Sequence, residues 1–386
     1  MTTSNVAAII LAAGKGTRMR SKRAKVLHEL GGEPMIARAV RAVAALHPDP
    51  IVIVVGHQAR EVEAAITSPR ARFALQEPQR GTGDAARCAL DQLPANFSGD
   101  VLITYGDMPA IKSSTLRAFL DAHRKRGTKL SFISIILEDP SAYGRVIRDA
   151  AGSLEKIVEF RDASPVERAI KEINTGFYLV DSALLRSALA ELKPANAQDE
   201  YYLTDIVAIA RARREKVEAW VADDPAEFAG INSREELANM EAEIRAAVNR
   251  KLMQAGVTIV DPATAYISEQ AEIAPDCVIG PNVQILGACK LGEGVRIDGT
   301  AWLSNVTIGP RCHLKLGVRA EDCVIGEESE IGPFANLRAG TELLGHNRIG
   351  NFVETKKARL GRGTKASHLS YLGDATIGAD TNVGCG

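Results

Sequence analysis

The stretch ISEQAEIAPDCVIGPNVQILGACKLGEGVRIDGTAWL, residues 267–303, carries an aliphatic side chain at every sixth position. The period resumes beyond residue 320 and returns in another phase near the C-terminus. The positions are Ile267, Ile273, Ile279, Ile285, Leu291, Ile297 and Leu303, then Ile325, Ile331, Leu337, Leu343 and Ile349, then Leu372, Ile377 and Val383. An α-helix has a period of 3.6 residues and a sandwich of hairpins a period of two. A six-residue period instead predicts a left-handed parallel β-helix of hexapeptide repeats, whose short sides each point one aliphatic residue inward.

A coil of this kind buries its core only by stacking on its neighbours, and an uncapped end exposes a sheet edge. The sequence ends at Asn382-Val383-Gly384-Cys385-Gly386, in the middle of a repeat. We therefore expect a β-helix domain over residues 254–386 that is truncated at its C-terminus.

The preceding segment, residues 233–253, has apolar residues at helical spacing, and Ser233 followed by Glu236 is typical of a capping box. We interpret it as a connecting helix. Within residues 1–232, apolar strands (6–11, 51–55, 101–104 and 130–137) alternate with helical patterns (35–46 and 85–93). This alternation predicts an α/β domain that is Rossmann-like, with a mostly parallel sheet.

The composition excludes several classes of function. The 386 residues have a formal net charge of −1 and 5% aromatic residues, which argues against a nucleic-acid or anionic-membrane binder. No apolar run reaches the ~18 residues of a membrane helix, and the apolar start is too short for one. The six cysteines lack C-x-x-C spacing and the histidines do not cluster. We expect free thiols and a cytoplasmic location.

A glycine-rich turn follows the first strand, in the order Ala12-Ala13-Gly14-Lys15-Gly16-Thr17-Arg18-Met19. It is not a Walker motif, and the dinucleotide pattern fails at Met19. Free N–H groups at such a turn can surround polyphosphate oxygens, while Lys15, Arg18 and Lys25 offset the negative charge. A bare G-x-G on its own equally fits a tight turn.

Two further segments have suitable chemistry. Gln76 and the turn Gly81-Thr82-Gly83 could read a pyrimidine edge through hydrogen bonds, or could form a plain loop. Asp107, in Tyr105-Gly106-Asp107, follows a strand, and ligands bind at the carboxyl ends of strands in open α/β sheets. One carboxylate there suits Mg²⁺, although it could instead cap a helix.

Taken in order, these segments resemble, over the full length, the bacterial family of bifunctional N-acetylglucosamine-1-phosphate uridylyltransferases / glucosamine-1-phosphate N-acetyltransferases. The resemblance implies that Asp107 and Asn232 hold Mg²⁺ and that Arg18 steadies the leaving pyrophosphate. It also implies a set of residues that contact the uridine nucleotide and the sugar: Leu11, Ala12, Ala13, Gly14, Lys25, Gln76, Gly81, Thr82, Tyr105, Gly106, Asp107, Gly144, Glu159, Asn174 and Asn232. Ala24 departs from the family, which usually has proline before the lysine.

The implied reaction needs no protein nucleophile. N-acetylglucosamine 1-phosphate attacks the α-phosphorus of UTP in line, and pyrophosphate leaves. Lys25, Arg18 and backbone N–H groups stabilise the developing charge, together with Mg²⁺.

Residues 356–374 interrupt the six-residue register and concentrate cations around His368, which indicates a site rather than scaffold. By resemblance, His368 is the general base that lets glucosamine 1-phosphate attack acetyl-CoA. Arg338 and Lys356 would hold the phosphate, Tyr371 and Asn382 the sugar and nearby groups, and Cys385 would lie next to acetyl-CoA. The family also implies a homotrimer with acetyl sites between subunits, and the expected truncation would impair this activity.

Two alternatives stay open at this point. One is another sugar-1-phosphate nucleotidyltransferase with a regulatory or assembly β-helix, which a panel of nucleotides and sugar phosphates separates from the first reading. The other is a non-catalytic subunit that senses nucleotide sugars, which predicts no Mg-dependent release of pyrophosphate.

Overall fold

The computed structural model describes residues 5–384. They form two compact units, and the division falls between Leu237 and Ala238.

The first unit is built on a nine-stranded sheet. Its strands are β1 Val6–Leu11, β2 Ile51–Val55, β3 Ala71–Leu75, β4 Asp100–Tyr105, β5 Leu130–Ile136, β6 Arg145–Arg148, β7 Leu154–Val158, β8 Glu172–Asp181 and β9 Val217–Val221. The order is β9-β5-β8-β4-β1-β2-β3, with β6 paired to β8 and β7. Along this path only β8 runs antiparallel to its neighbours. The predicted α/β class with a mostly parallel sheet is therefore confirmed.

Helices cover both faces of this sheet, which explains why β1 is apolar at every position. Ala7, Ile9 and Leu11 point into one core. The alternate residues of β1 point into the other. A strand buried on both faces reads as a continuous apolar run rather than an alternating one.

The helices of this unit are α1 Met35–Ala44, α2 Ala59–Ala64, α3 Thr82–Leu90, α4 Ser113–Arg126, α5 Pro165–Arg168, α6 Ser182–Glu191 and α7 Asp205–Ala212. Helix α3 begins three residues before the predicted start at residue 85 and ends before residue 93. Gly81 ends the preceding loop with φ 103°, a conformation that favours glycine, so the chain can turn directly into the helix at Thr82. Short 3₁₀ turns lie at Thr17–Met19, Lys25–Leu27 and Pro225–Phe228.

Helix α8, Arg234–Gln254, is the long helix predicted between the domains, and the division between the two units falls inside it. One of the two hydrogen bonds of the predicted capping box is present. The Ser233 hydroxyl accepts a hydrogen bond from the Glu236 N–H at 3.1 Å. The Glu236 carboxylate, however, accepts from the N–H of Asn232 at 2.6 Å, so it ties down the residue before the cap.

The second unit is the predicted left-handed parallel β-helix of three sheets. The first sheet contains Thr258–Ile259, Val278–Ile279, Arg296–Ile297, His313–Leu314, Glu330–Ile331, Arg348–Asn351, Lys365–His368 and Asn382–Val383. The second contains Tyr266–Ile267, Val283–Leu286, Ala301–Ser304, Arg319–Glu321, Asn336–Leu337, Glu354–Lys356 and Tyr371–Gly373. The third contains Glu272–Ile273, Lys290–Leu291, Thr307–Ile308, Val324–Ile325, Glu342–Leu343, Arg359–Leu360 and Thr376–Ile377.

The predicted interruption of the coil around His368 is wrong. Lys365 pairs with Arg348, and Tyr371 pairs with Glu354, in the same parallel register as the coils below. The six-residue pattern was lost because Thr355 and Ala366 occupy inward positions where other coils have larger aliphatic residues, and both are fully buried. The backbone pairing continues here, but the side from Thr355 to Leu360 has five residues instead of six, so the phase shifts as well.

The gap in the pattern between residues 303 and 325 has a similar cause. Ile308, Leu314 and Ala320 fill the inward positions, but Ile308 follows Leu303 after five residues instead of six. A side shortened by one residue shifts the phase while every inward position stays apolar. The β-helix therefore continues without a break from Ile259 to Val383.

Five cysteines lie within the described residues, and all five are free. Cys277, Cys289, Cys312 and Cys323 are buried inside the β-helix, where burial raises the pKa of each thiol. Among residues 5–384, no helix combines the length and apolar character needed to cross a bilayer.

Candidate active site

A cavity of about 460 Å³ opens where the central parallel strands of the first unit end. Most of its lining comes from the segments that follow β1, β3 and β4, and in the sheet β1 lies next to β4 and two places from β3. Ten of the predicted nucleotide and sugar residues line it: Leu11, Ala12, Ala13, Gly14, Lys25, Gln76, Gly81, Thr82, Tyr105 and Asp107.

The two glycines of the turn after β1 serve different purposes. A Cβ built on Gly14 meets nothing within 4 Å, so the missing side chain leaves space in the cavity itself. A Cβ on Gly16 would lie 2.5 Å from Cβ of Lys25, and Gly16 has φ 60°. Gly16 therefore lets the turn pack against Lys25, and Gly14 leaves its backbone open to a ligand.

The Gln76 side chain is held in one orientation. Its Nε2 donates to the Gly81 carbonyl oxygen at 3.0 Å and to Oδ2 of Asp84 at 2.9 Å. A carbonyl and a carboxylate accept hydrogen bonds, so the amide nitrogen must face them. The amide oxygen is then on the side away from these two acceptors, and Gln76 lines the cavity.

The Tyr105 side chain lies between Thr82 and Gly176. Burial raises the pKa of its hydroxyl, as do the negative charges of Glu159 and Asp107, while a hydrogen bond with Thr82 opposes the shift. Gly176 lies against the ring with φ 87°, and a Cβ there would overlap the Tyr105 ring. The ring therefore packs where only glycine fits.

Lys25, Asp107 and Asn232 form the polar centre of the site. The Lys25 ammonium donates to the Asp107 carboxylate and, at 2.9 Å, to Oδ1 of Asn232. The backbone joins the same two segments, because the Ile231 N–H donates to the Asp107 carbonyl oxygen at 3.0 Å. Residues 82 and 207 positions away from Lys25 along the chain thus meet at one ammonium group.

The donor set at this point fits a magnesium ion. The oxygens of Asp107 and Asn232 already share one cationic group, so both face a common position suited to positive charge. In the described part of the chain, no group of three or more His, Cys, Asp or Glu side chains could hold a metal. One carboxylate and one amide oxygen match the preference of Mg²⁺ for few protein ligands together with phosphate oxygens.

Arg18 and Glu159 line a second cavity, of about 340 Å³, together with Ala142, Phe160, Arg161 and Gln198. Burial raises the pKa of Glu159, as do the charges of Asp205 and its acidic neighbours, while a hydrogen bond from the Thr204 hydroxyl at 3.2 Å opposes the shift. The sequence predicted both residues but did not separate them from the first cavity.

Three predicted residues lie behind the cavities and shape them through the backbone. Gly106 is buried, and a Cβ there would lie 2.5 Å from Cδ1 of Ile36, so packing requires glycine. The Asn174 N–H donates to the Gly144 carbonyl oxygen at 2.9 Å. The Asn174 side chain accepts from the Gly176 N–H at 3.1 Å and so holds the turn against Tyr105.

Several cavity residues were not among the predicted site residues. Gln79 donates through Nε2 to the Ala13 carbonyl oxygen at 2.7 Å, and its position three residues after Gln76 was an available signal. Glu200 reaches the cavity from a distant loop that the Tyr201 carbonyl fixes to the Gly83 N–H at 2.7 Å. No local motif marks Glu200. Val26 and Ala85 are the other additions, whereas Lys15, Gly16 and Thr17 belong to the glycine-rich turn already predicted to surround phosphate oxygens.

In the second unit, Lys356 and Tyr371 lie in strands of the second sheet, and Arg338 directly follows the strand of the preceding coil. The Arg338 N–H donates to the Thr355 carbonyl oxygen, which places Arg338 and Lys356 at matching positions of neighbouring coils. Arg338 also pairs with the Glu354 carboxylate at 2.7 Å.

His368 ends a strand of the first sheet, and two residues separate it from the strand that begins with Tyr371. Both side chains are exposed. Asn382 lies on the next coil of the first sheet, paired with Lys365. The predicted residues therefore occupy two adjoining sides of the triangular coil. Cys385 lies outside the described residues.

Comparison with known proteins decides the family. A family model described as a MobA-like NTP transferase domain matches residues 8–162, and one described as the GMPPB C-terminal domain matches residues 262–347. A "Bifunctional protein GlmU" from Trichlorobacter lovleyi is 45% identical over 381 residues, which is 98% of this chain and 83% of the relative. The chain belongs to the GlmU family.

Other GlmU relatives are similarly close. The one from Kineococcus radiotolerans is 44% identical over 98% of this chain and 77% of its own length. The one from Corynebacterium efficiens is 42% identical over 99% of this chain and 79% of its own length. The family resemblance seen in the sequence is therefore confirmed, and the chain is a bifunctional transferase with a nucleotidyltransferase unit and a β-helix unit.

Proposed function

We propose that the first unit transfers UMP from UTP to N-acetylglucosamine 1-phosphate, giving UDP-N-acetylglucosamine and pyrophosphate. The observation that carries the proposal is the meeting of Lys25, Asp107 and Asn232 at the cavity formed by the glycine turn. Two oxygen ligands and a lysine ammonium beside an open backbone are what a triphosphate with its metal requires.

The uridine is expected to lie against β1 and the turn before α3. The fixed oxygen of Gln76 is an acceptor for the N–H of a uracil ring, and the backbone at Gly81 supplies complementary groups. The lining residues Leu11, Ala12 and Ala13 provide apolar contact for the base and ribose. A pyrimidine with one ring N–H suits this arrangement.

The sugar is expected to extend toward Glu159. This carboxylate can accept hydrogen bonds from sugar hydroxyls, and Asn174 and Gly144 hold the backbone next to it. Arg18, which lines the same cavity, would offset the charge of the leaving pyrophosphate.

The protein acts in this reaction by positioning and by charge. Lys25 would leave the two oxygen ligands and contact a phosphate, while the N–H groups of the glycine turn would hold the triphosphate for in-line attack. Asp107 and Asn232 would hold Mg²⁺, which supplies charge neutralisation between the two anionic substrates when bound.

For the second unit we propose acetyl transfer from acetyl-CoA to glucosamine 1-phosphate. His368 would accept the proton of the amine, Arg338 and Lys356 would bind the phosphate, and Tyr371 and Asn382 would contact the sugar. Support comes from the shared face of Arg338, Lys356 and Tyr371 and from the position of His368 at the adjoining corner. Cys385 next to acetyl-CoA, assembly as a homotrimer and a cytoplasmic location stay predictions.

A pyrophosphate-release assay with UTP and N-acetylglucosamine 1-phosphate tests the first activity. We expect Mg-dependent release with this pair and much less with ATP, GTP or other hexose 1-phosphates. Asp107→Asn should abolish most of the activity while keeping the fold. Preference for a purine nucleotide, or turnover like the wild type in Asp107→Asn, would refute the proposal.

A further inference from the structure

The backbone immediately before Lys25 is held by a side chain from another element. The Ala24 N–H donates a hydrogen bond to Oε1 of Gln58 at 2.5 Å. Gln58 lies 34 residues further along the chain, at the residue preceding α2. Ala24 is 1% exposed, so its N–H has no access to bulk water as an alternative partner. An N–H buried in this way is costly to leave without an acceptor.

The geometry at Gln58 is adapted to this contact. Its backbone is left-handed, with φ 54° and ψ 47°, a conformation that non-glycine residues adopt rarely. Its carbonyl oxygen accepts from the Val62 N–H at 3.1 Å and so begins α2, while the side chain turns toward Ala24. The residue therefore connects a helix of the sheet scaffold to the loop that carries Lys25.

We propose that Gln58 is a positioning residue for uridylyl transfer, acting through Ala24 on Lys25. The inference rests on the proposed function of the first unit. Lys25 must contact Asp107 and Asn232 in one state and a phosphate in the other, so its Cα must stay fixed while its side chain moves. The Gln58 side chain fixes that Cα from one side, and Gly16, packed against Cβ of Lys25, fixes it from the other.

Ala24 offers an independent way to probe this contact. Its backbone has φ −55° and ψ 140°. A proline ring imposes a similar φ, but a proline has no N–H to donate. In Ala24→Pro the ring holds the backbone, and its Cδ takes the place of the N–H. The Gln58 oxygen, 2.5 Å from that nitrogen, then has to turn away, and its role as an acceptor is no longer needed. Position 24 can thus be fixed either by the hydrogen bond or by the ring.

The test is a cycle of four proteins: wild type, Gln58→Gly, Ala24→Pro and the double variant. Glycine is chosen because it adopts the left-handed conformation at position 58 without strain. Gln58→Glu, which keeps an acceptor of similar length, is the conservative control. The measurements are kcat and KM for UTP in pyrophosphate release, the melting temperature, and hydrogen exchange of the peptide containing Ala24 and Lys25.

We expect Gln58→Gly to lower kcat about three- to tenfold, the range for one lost hydrogen bond. Its melting temperature should fall by only about 2–4 °C, so the protein stays folded at the assay temperature. Gln58→Glu should restore most of the rate. Ala24→Pro should stay within about twofold of the wild type, and adding Gln58→Gly to it should cost nothing further. Exchange at the Ala24 amide should speed up in Gln58→Gly.

Equal losses from Gln58→Gly with and without Ala24→Pro would overturn the proposal, as would a loss that follows the melting temperature. Wild-type protein that releases no pyrophosphate would refute the proposed function instead. In that case the exchange experiment still decides whether Gln58 holds Ala24, and unchanged exchange in Gln58→Gly would overturn the positioning role by itself.

Discussion

The Lys25 ammonium donates a hydrogen bond to the Asp107 carboxylate, a residue 82 positions further along the chain. The same ammonium donates to Oδ1 of Asn232. In this structure a lysine therefore provides the positive charge at the two oxygens that we assign to magnesium. A metal ion that binds there has to displace it.

Lys25→Met should strengthen metal binding to the substrate-free protein, because the competing ammonium is gone. We expect Mn²⁺, measured by electron paramagnetic resonance, to bind about tenfold tighter, in line with the strength of a charged hydrogen bond. Turnover should fall about a hundredfold, since a group that stabilises transition-state charge is lost. Lys15→Met is the matched control, and its metal affinity should equal that of the wild type. Weaker Mn²⁺ binding in Lys25→Met would contradict the displacement model.

Gly14→Ala tests whether the space beside residue 14 is needed for the ligand, and Gly176→Ala tests whether glycine is needed at residue 176 for packing. A Cβ on Gly14 enters open space, so Gly14→Ala should keep the melting temperature and lower kcat/KM for UTP about tenfold or more. Gly176→Ala forces a methyl group against the Tyr105 ring at φ 87° and should destabilise the unit by about 1–3 kcal/mol. Thermal unfolding and steady-state kinetics on both variants check this. Equal melting temperatures would contradict the packing role of Gly176.

Glu159→Gln should stabilise the first unit at neutral and alkaline pH. Burial raises the pKa of Glu159 above its ordinary value of 4.5, so the folded state binds a proton more tightly than the unfolded state does. Stability is then lost as the pH rises from that ordinary value through the raised pKa, and glutamine removes the loss. Melting temperatures from pH 4 to pH 9, roughly the range in which such carboxyls titrate, provide the measurement.

The control for this variant is Glu138→Gln, at an exposed carboxylate paired with Lys171. That hydrogen bond lowers the pKa of Glu138, so any dependence of stability on pH has the opposite sign and is screened by solvent. If Glu159→Gln raised the melting temperature equally at pH values below the ordinary carboxyl pKa, the raised pKa of Glu159 could not be the cause of the stabilisation.

His368→Ala should remove acetyl transfer and leave uridylyl transfer unchanged, because the two residue sets lie in different units. Loss of a general base is expected to lower the rate by about a hundredfold or more. Thiol release from acetyl-CoA and pyrophosphate release are measured on the same preparation. His346→Ala, at a half-buried position of the β-helix next to Glu328, should keep both activities. Parallel loss of both in His368→Ala would contradict separate sites.

Much of the architecture was predictable from the sequence because buried apolar residues recur at regular intervals along the chain. The six-residue repeat specified the β-helix, and the uninterrupted apolar run of β1 indicated a strand covered on both faces. Prediction was wrong around His368, where the inward positions hold Thr355 and Ala366. The backbone hydrogen bonds continue there, but the apolar signal does not.

The candidate site was predictable where residues follow a strand, as Asp107 does, and through the family resemblance elsewhere. Glu200 was missed because its loop reaches the cavity through a backbone hydrogen bond, which any residue type can make. Gln58 was also missed because its contact is with a backbone group. Its partner is the N–H of Ala24, and an alanine gives no sign of having a partner.

The most direct test of the central claim is a crystal structure of the protein with Mn²⁺ and UDP-N-acetylglucosamine, using anomalous scattering to locate the metal. We predict one peak about 2.0–2.3 Å from both the Asp107 carboxylate and the Asn232 amide oxygen, with the Lys25 ammonium moved to a phosphate. A metal bound away from these two oxygens, with Lys25 still in contact with both, would contradict the account.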